Sequence, residues 1–430
     1  MTNSIAKNSL IFIIGAFATK AFRIIILPIY IYFLSQNDVG KLGLIEAIIA
    51  FTTLLSGLGL PAAIQRVYVD IPKKERNSFF AEILTYKYGF SLILLIIVLI
   101  LSNNLNYSLT YIELFLAFLI GILFSNITIL ENKYIIEEHA LKYRIFTILV
   151  HSINFLFIVI VLFLSNSIVY ILVAQVVNLI CWNLYVAIKV GFEFTLTSRL
   201  IQVMKIGLGG MLYAISLWGL ALSDRLILER LTSMKDISIY SVGYQVAIII
   251  SIIAFGIRDS WRPRFYKMLK QESNPEKFIS IQMVYIGALA CLVLILQLIC
   301  LFTKVYFPLG QYQGVETICA VVSVGMLFYA LSISYLNVLF YFKKMMEVSV
   351  MSLISLGINV VLNFMLIPKY GMIAAAIVTV ITYAIQLIFF LVYSKSLFPL
   401  NYKKKTVMFL SFGIIICLII PTYLTYFFEN

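Results

Sequence analysis

Apolar runs of about 20 residues recur along the whole chain, and each is long enough to cross a lipid bilayer as a helix. Short polar segments separate them, and none of these is long enough for a soluble domain. The sequence is 62% hydrophobic and 12% charged, whereas a soluble domain is about half apolar and a quarter charged. The sequence therefore predicts a membrane protein throughout its length.

Thirteen windows are candidate membrane spans, and backbone groups in lipid must be hydrogen-bonded within the segment or a closed barrel. The runs are too long and too continuously apolar for barrel strands, so we expect helices. The prediction is an all-α polytopic membrane protein with about 12 to 14 spans. The windows are 10–33, 42–64, 81–101, 109–130, 145–164, 167–188, 208–231, 237–257, 279–302, 317–340, 347–367, 371–393 and 406–428.

Lysine and arginine alternate between the two sides of the predicted membrane. Cytoplasmic connections retain an excess of these residues, and with the N-terminus inside, the outer connections contain only Lys41, Lys235, Lys304 and Lys369. This bias also accounts for the formal net charge of +13. A nucleic-acid partner is not needed to explain it, and no basic arm is visible outside the predicted spans.

The two halves of the sequence echo each other. Residues 34–47, LSQNDVGKLGLIEA, align with residues 231–246, LTSMKDISIYSVGYQV, so that Asp38 meets Asp236. Six helices separate the two segments, which predicts parallel halves related by an axis along the membrane normal. The predicted organisation is a six-helix lobe at 1–195, a second at 196–395, and an additional helix at 396–430; chance similarity between two apolar hairpins is the alternative.

Four segments carry a family resemblance. Residues 223–246, SDRLILERLTSMKDISIYSVGYQV, and residues 27–43, LPIYIYFLSQNDVGKLG, resemble the passages that open the second and first halves of polysaccharide-unit flippases of the Wzx type. Residues 258–267, RDSWRPRFYK, and 368–379, PKYGMIAAAIVT, agree with the same family. These flippases belong to the multidrug/oligosaccharidyl-lipid/polysaccharide exporter superfamily, so the resemblance implies a fold like that of multidrug and toxin extrusion (MATE) transporters.

The resemblance also implies a function. Such relatives carry an undecaprenyl-diphosphate-linked oligosaccharide from the inner to the outer leaflet of the bacterial plasma membrane, for O-antigen, capsule or exopolysaccharide synthesis. It implies a non-enzymatic protein without a cofactor or bound metal. Membrane lipids, a polysaccharide polymerase and a chain-length regulator are the implied partners. The absence of a GxxxxGK[ST] loop excludes ATP hydrolysis at a phosphate loop in this sequence.

Three cations within predicted spans are candidate substrate ligands. Lys20 and Arg23 share a helical face, and a charge at mid-membrane costs about 2.5 to 3.5 kcal/mol on insertion scales. A cavity that admits a sugar diphosphate needs cations where the anion passes, so we expect Lys20, Arg23 and Arg225 to line that path. Structural ion pairs are the alternative, and Arg225 can pair with Glu229 four residues later.

Intramembrane acids are candidates for coupling. Asp224 has no obvious partner in its own helix, so it pairs across the bundle, for instance with Lys20 or Arg23, or it binds a proton or cation during transport. Glu46 is the second candidate. Lys87 is close enough to a span end that snorkelling to the interface explains it equally well, and Glu113 is expected to face water.

A basic run at an inner boundary contains Arg258, Arg262 and Arg264, interleaved with aromatic residues. It is a candidate for capturing anionic headgroups or the substrate diphosphate, and the alternative is an interfacial anchor. Two other functions compete with the flippase. A membrane polymerase or O-acyltransferase is disfavoured by the short outer loops, and a drug or cation antiporter is disfavoured by the cationic first span.

Overall fold

The computed structural model describes residues 22, 25–68, 70–102, 108–257, 266, 275–306 and 310–398, and within these ranges the regular elements are all helical. The α-helices are α1 (residues 25–33), α2 (Gln36–Gly57), α3 (Leu60–Tyr68), α4 (Arg76–Ser102), α5 (Tyr111–Ile136), α6 (Ala140–Leu164), α7 (Ile168–Val190), α8 (Ser198–Leu231), α9 (Met234–Ala247), α10 (residues 249–257), α11 (Pro275–Tyr306), α12 (Val315–Tyr341) and α13 (Met345–Leu397). Short 3-10 turns occur at Lys73–Glu75 and Gly310–Tyr312.

Ten segments of the described chain are long and apolar enough to cross a membrane. The longest, α13, has 53 residues and contains Gly371 in a non-helical conformation with φ 59° and ψ −144°. A kink at this glycine divides α13 into the two spans that the sequence predicts on either side of it. The polytopic helical class is therefore confirmed. The thirteenth window lies outside the described residues, as does most of the first, so the count of thirteen stays a prediction.

The chain forms two compact units, Met1–Trp218 and Gly219–Asn430, and the division falls within α8. In the first unit, α2 packs on α5, and α5 packs on α6 and α7. Gly121 of α5 allows the close approach, since a Cβ at this position would lie 2.6 Å from Thr52 Cβ and 2.8 Å from the Ile49 carbonyl oxygen of α2. Glycine is needed there because any larger side chain would push the two helices apart.

In the second unit, α9 packs on α12, and α12 packs on both α11 and α13. Each residue from Val315 to Leu327 of α12 is buried. Gly243 of α9 has the role that Gly121 has in the first unit, because a Cβ there would lie 2.9 Å from both Ile318 Cβ and the Val315 carbonyl oxygen. Helix α12 is thus the central helix of this unit.

Serine and threonine caps begin several of these helices. The Ser35 side chain caps α2 by accepting from the Asp38 backbone N–H, and Ser233 caps α9 in a reciprocal capping box with Asp236. Ser35 and Ser233 are the aligned residues of the internal echo, so the echo corresponds to a shared helix start. The parallel relation between the halves, and the lobe boundaries at 195 and 395, remain predictions.

Glu113 corrects one expectation. This carboxylate is only 3% exposed, because it closes the capping box with Thr110 at the start of α5 and binds Lys41 Nζ of α2 at 3.2 Å. The prediction that Glu113 faces water is wrong. A helix start that carries an acid at its third position can bury it, since the carboxylate accepts a backbone N–H and an ammonium together.

Helix α2 stops at Gly57 within an apolar window that continues to Ile64. Leu58 has a left-handed conformation with φ 47°, and Gly59 follows with φ 63°. A Cβ on Gly59 would collide with the backbone of Gly207 in α8. The sequence predicts a continuous span here, whereas the structure breaks it into α2 and α3 at a close backbone contact.

Candidate functional site

The predicted site residues fall partly within the described structure. Asp224, Arg225 and Glu46 are described, whereas Lys20, Arg23, Arg258, Arg262 and Arg264 lie outside the described residues. Asp224 and Arg225 belong to the second unit and Glu46 to the first.

Asp224 is buried near the end of α8, with 1% of its surface exposed. One carboxylate oxygen accepts the Arg225 backbone N–H at 2.8 Å, and the Tyr240 hydroxyl of α9 donates to the other oxygen. The Tyr240 hydroxyl also lies 3.4 Å from Thr379 Oγ1 of α13. Asp224 therefore has a partner across the helical packing, and a tyrosine hydroxyl is among its partners.

Arg225 is equally buried, at 2% exposed. Its guanidinium carbon lies 5.3 Å from the centre of the Tyr244 ring, within the range of a cation–π interaction. The Tyr244 and Tyr383 hydroxyls are 3.5 Å apart. Glu229 forms an ion pair with Arg230, whose Nε lies 3.3 Å from Oε2; the predicted pairing of Glu229 with Arg225 stays a prediction.

A buried polar network joins the two parts of α13. The Thr382 hydroxyl donates to the Val378 carbonyl at 2.8 Å, the Asn359 amide donates to Thr382 Oγ1 at 3.2 Å, and the Asn363 amide donates to Asn359 Oδ1 at 3.0 Å. Sequence reasoning missed this network. The available signal was the recurrence of Asn and Thr at helical spacing in otherwise apolar segments.

Glu46 is half-buried on α2. Asp224 and Glu46 thus differ in their surroundings. Asp224 lies in a hydrogen-bonded cluster with a buried arginine beside it, whereas Glu46 is nearer to a helix surface.

Lys87 is a further buried ionisable residue, which the sequence analysis did not assign to the site. It is 2% exposed, and its Nζ donates to the Ser125 carbonyl oxygen at 2.6 Å and to Ser125 Oγ at 2.9 Å. The snorkelling interpretation is therefore wrong, because the ammonium points from α4 into the packing against α5. The signal that could have found it is Ser91, one turn later on the same helical face.

Three more polar side chains surround this lysine. Ser91 Oγ donates to Asn126 Oδ1 at 3.1 Å, and Ser56 Oγ of α2 lies 3.5 Å from Ser91 Oγ. We call Ser56, Lys87, Ser91, Ser125 and Asn126 the Lys87 cluster. It lies where α2, α4 and α5 meet, within the first unit.

A metal centre finds no support in the part of the chain that the structure describes, where no group of three or more His, Cys, Asp or Glu side chains could hold a metal ion. In the second unit, the buried groups are the Asp224 carboxylate and the Arg225 guanidinium, with tyrosines beside them. In the first unit, the buried group is the Lys87 amine, which neutral oxygens and an amide surround. Such groups bind ions and protons and hydrogen-bond to polar ligands.

Solved structures share this fold at low sequence identity. The lipid II flippase MurJ in an inward closed conformation is 15% identical, with a TM-score of 0.68, and the match covers 99% of this chain and 94% of that one. A variant of the Vibrio cholerae MATE transporter VcmN is 11% identical, with a TM-score of 0.64 and coverage of 92% and 97%. The inward-facing form of a multidrug resistance MATE transporter is 13% identical, with a TM-score of 0.62 and coverage of 88% and 94%.

These matches define the class as a polytopic helical membrane protein with the fold of MATE transporters and MurJ. The sequence model of the family described as "Polysaccharide biosynthesis protein" matches residues 5–269. The chain belongs to this family, which confirms the resemblance drawn from the sequence. No curated protein sequence is similar enough to count as a match.

Proposed function

We propose that this protein is a flippase that moves an undecaprenyl-diphosphate-linked oligosaccharide from the cytoplasmic to the outer leaflet of a bacterial plasma membrane. The observation that carries the proposal is that a chain of the polysaccharide biosynthesis family has the fold of a lipid II flippase. O-antigen, capsule and exopolysaccharide synthesis are the settings in which such a substrate arises. The N-terminus is cytoplasmic in this proposal, as the alternation of basic residues favours.

The substrate path in this proposal is cationic. A diphosphate in a low-dielectric pathway requires positive charge, and a guanidinium can bind two of its oxygens at once. Arg225 supplies a buried guanidinium in the second unit, and Lys20 and Arg23 are the proposed ligands of the first span. Arg258, Arg262 and Arg264 are proposed to gather the substrate headgroup at the inner surface.

Transport against a gradient requires an energy source, and alternating access coupled to an ion gradient is the proposed one. Asp224 is the main candidate for the coupling site because its carboxylate is buried and bonded to the Tyr240 hydroxyl on the neighbouring α9. Gain of a proton or cation at Asp224 would change this bond and thereby the contact between α8 and α9. Glu46 is the second candidate.

The test is complementation of a host that lacks its own flippase, supplied with this chain and a set of sugar-assembly genes. The measurements are surface polysaccharide and the amount of lipid-linked repeat unit that accumulates. Restored polymer together with cleared intermediate supports translocation. A polymerase or an acyltransferase would act after translocation. The flippase proposal is therefore wrong if repeat units reach the outer leaflet without this chain and are polymerised only when it is supplied.

A multidrug or cation antiporter is the second candidate, favoured by the shared fold with multidrug MATE transporters. It predicts that expression raises resistance of a drug-sensitive host to cationic dyes and leaves lipid-linked sugars unchanged. Purified protein in vesicles distinguishes the two directly. The flippase moves a lipid-linked oligosaccharide between leaflets, whereas the antiporter extrudes a fluorescent cation.

A further inference from the structure

The Lys87 cluster contains a buried lysine amine that has no counter-charge among the described residues. Lys87 forms its hydrogen bonds with the carbonyl and hydroxyl of Ser125, and both are neutral. Among the described residues, no carboxylate forms an ion pair with it. A buried ion without a counter-charge costs several kcal/mol, so the site as described favours the arrival of a negative charge.

The cluster also has hydrogen-bond donors to spare. An ammonium has three donors, and Lys87 uses two of them on Ser125. Because the single proton of Ser91 goes to Asn126 Oδ1, Ser56 is the donor in the contact with Ser91. The Asn126 side chain is 1% exposed, and its amide nitrogen makes no hydrogen bond to any described residue.

The end of α2 lies beside the same cluster. A Cβ on Gly57, the last residue of α2, would lie 3.5 Å from Ser125 Oγ. The carboxyl end of a helix carries roughly half a negative charge that falls off within a turn. This partial charge helps to hold the ammonium in place but does not neutralise it.

We propose that the Lys87 cluster is a binding site for a small inorganic anion of halide or phosphate size. The Lys87 ammonium and the Asn126 amide supply the donors, and Ser91 and Ser56 complete the polar lining. The ligand is small because the cluster is buried between three helices, with every member at most 5% exposed. The site thus goes beyond the substrate path of the proposed function and does not depend on it.

Thermal unfolding of the full-length protein in detergent tests the site, with chloride, phosphate and gluconate salts compared at equal ionic strength. A ligand that binds only the folded state raises the melting temperature with its concentration. We expect chloride or phosphate to raise it by about 3 °C or more relative to gluconate, a bulky anion. Lys87→Met should abolish this difference.

The matched control is Lys189→Met, which removes an exposed lysine from the same unit and should leave the anion effect unchanged. Asn126→Leu is the second site variant, which keeps the ammonium and should weaken anion binding at least tenfold. An equal anion effect in wild type and Lys87→Met would overturn the site, as would no effect in wild type. Stabilisation by a lipid diphosphate alone, with none from chloride or phosphate, would also overturn it.

The outcome is separable from that of complementation. If wild-type protein fails to transport but shows the Lys87-dependent anion effect, the proposed function fails and the anion site stands. If transport is restored and the anion effect is missing, the proposed flippase function is supported and the proposed anion site is wrong.

Discussion

The first unit packs α2 on α5, and the second packs α9 on α12, each with a glycine at a close contact. Gly121 and Gly243 occupy these contacts, and Ser35 and Ser233 cap α2 and α9. The same local devices therefore recur in two units whose sequences are otherwise hard to align. The capped helix starts belong to the echo, whereas Gly121 of α5 lies outside the aligned segments and Gly243 lies within them.

The units differ in the side chain that bonds α4 to α5 in the first unit and α11 to α12 in the second. In the first, the Lys87 ammonium of α4 donates to the Ser125 carbonyl of α5. In the second, the Tyr285 hydroxyl of α11 donates to the Ala330 carbonyl of α12 at 3.2 Å. A neutral hydroxyl thus joins α11 to α12, whereas a lysine amine joins α4 to α5.

The second unit contains an acid and a base side by side, Asp224 and Arg225. Both are buried, and each contacts a tyrosine. The comparison teaches that the two units share their capped helix starts, while their buried charged residues differ. Buried ionisable residues within membrane spans are the places to look for function.

The largest effect is expected at Arg225. Arg225→Gln removes the buried guanidinium proposed to meet the diphosphate, and transport in the complementation assay should fall at least about tenfold, since 1.4 kcal/mol of lost binding already equals a factor of ten. Arg230→Gln, at a half-exposed arginine in the same helix, is the control and should transport normally. Normal polysaccharide from Arg225→Gln at normal protein level would remove this residue from the mechanism.

Asp224→Asn comes next, because it keeps the shape of the side chain and removes the charge. We expect polymer production to fall several-fold, with transport in vesicles no longer driven by an ion gradient. Tyr240→Phe, which removes the hydroxyl bonded to Asp224, should retain gradient dependence at a reduced rate. A gradient response in Asp224→Asn equal to that of wild type would assign coupling elsewhere, with Glu46 as the next residue to change.

Sequence reasoning predicted the class and the spans between residues 42 and 393, because apolar windows follow directly from the cost of polar groups in lipid. It predicted the family from the resemblance of four segments. It missed the break between α2 and α3, since Leu58 and Gly59 lie in a continuous apolar run and the contact with Gly207 is distant in sequence. Long-range packing, which periodicity does not encode, decided that break.

The same limit explains why the sequence left Lys87 open and predicted Glu113 wrongly. Lys87 and Glu113 lie near the ends of predicted windows, where the sequence favours exposure. Their burial depends on Ser125, Lys41 and Thr110, and these partners follow from which helices pack together. Asp224 was identified as buried from depth alone, but its bond to Tyr240 could not be predicted because the two residues lie on different helices.

The glycine contacts provide a test of the repeated frame. Gly121→Ala and Gly243→Ala should each lower the free energy of unfolding by about 1 to 3 kcal/mol, because the added methyl group meets backbone and branched side chains. Gly89→Ala is the control, since nothing lies within 4 Å of a Cβ there. Thermal unfolding in detergent measures all three. A neutral effect in only one of the two units would show that the frame is not shared.

Removing the Tyr285 hydroxyl and removing the Lys87 amine should change the stability of the protein in different ways. Tyr285→Phe loses a hydrogen bond and should cost about 1 kcal/mol of stability. Lys87→Met also loses its bonds to Ser125, but it relieves the burial of an ammonium, so in gluconate its melting temperature should be equal to or above that of wild type. A large loss for Lys87→Met in gluconate would mean that the lysine is mainly a structural tie.

The smallest effects are expected at the helix caps, where the two units can be compared bond by bond. Ser35 and Ser233 each accept the backbone N–H of the aspartate three residues later and donate to its carboxylate. Ser35→Ala and Ser233→Ala should therefore cost similar amounts, about 0.5 to 1 kcal/mol at these exposed positions.

The aspartates should not be equivalent. Asp236 also accepts the Ser233 backbone N–H at 3.1 Å, a bond that Asp38 does not make to Ser35 among the described residues. Asp236→Ala should thus destabilise the protein more than Asp38→Ala, by the value of one capping bond. Paired unfolding measurements of the four variants check both statements. Equal losses for the two aspartates would mean that the reciprocal bond adds nothing, and the two helix starts would then be energetically the same.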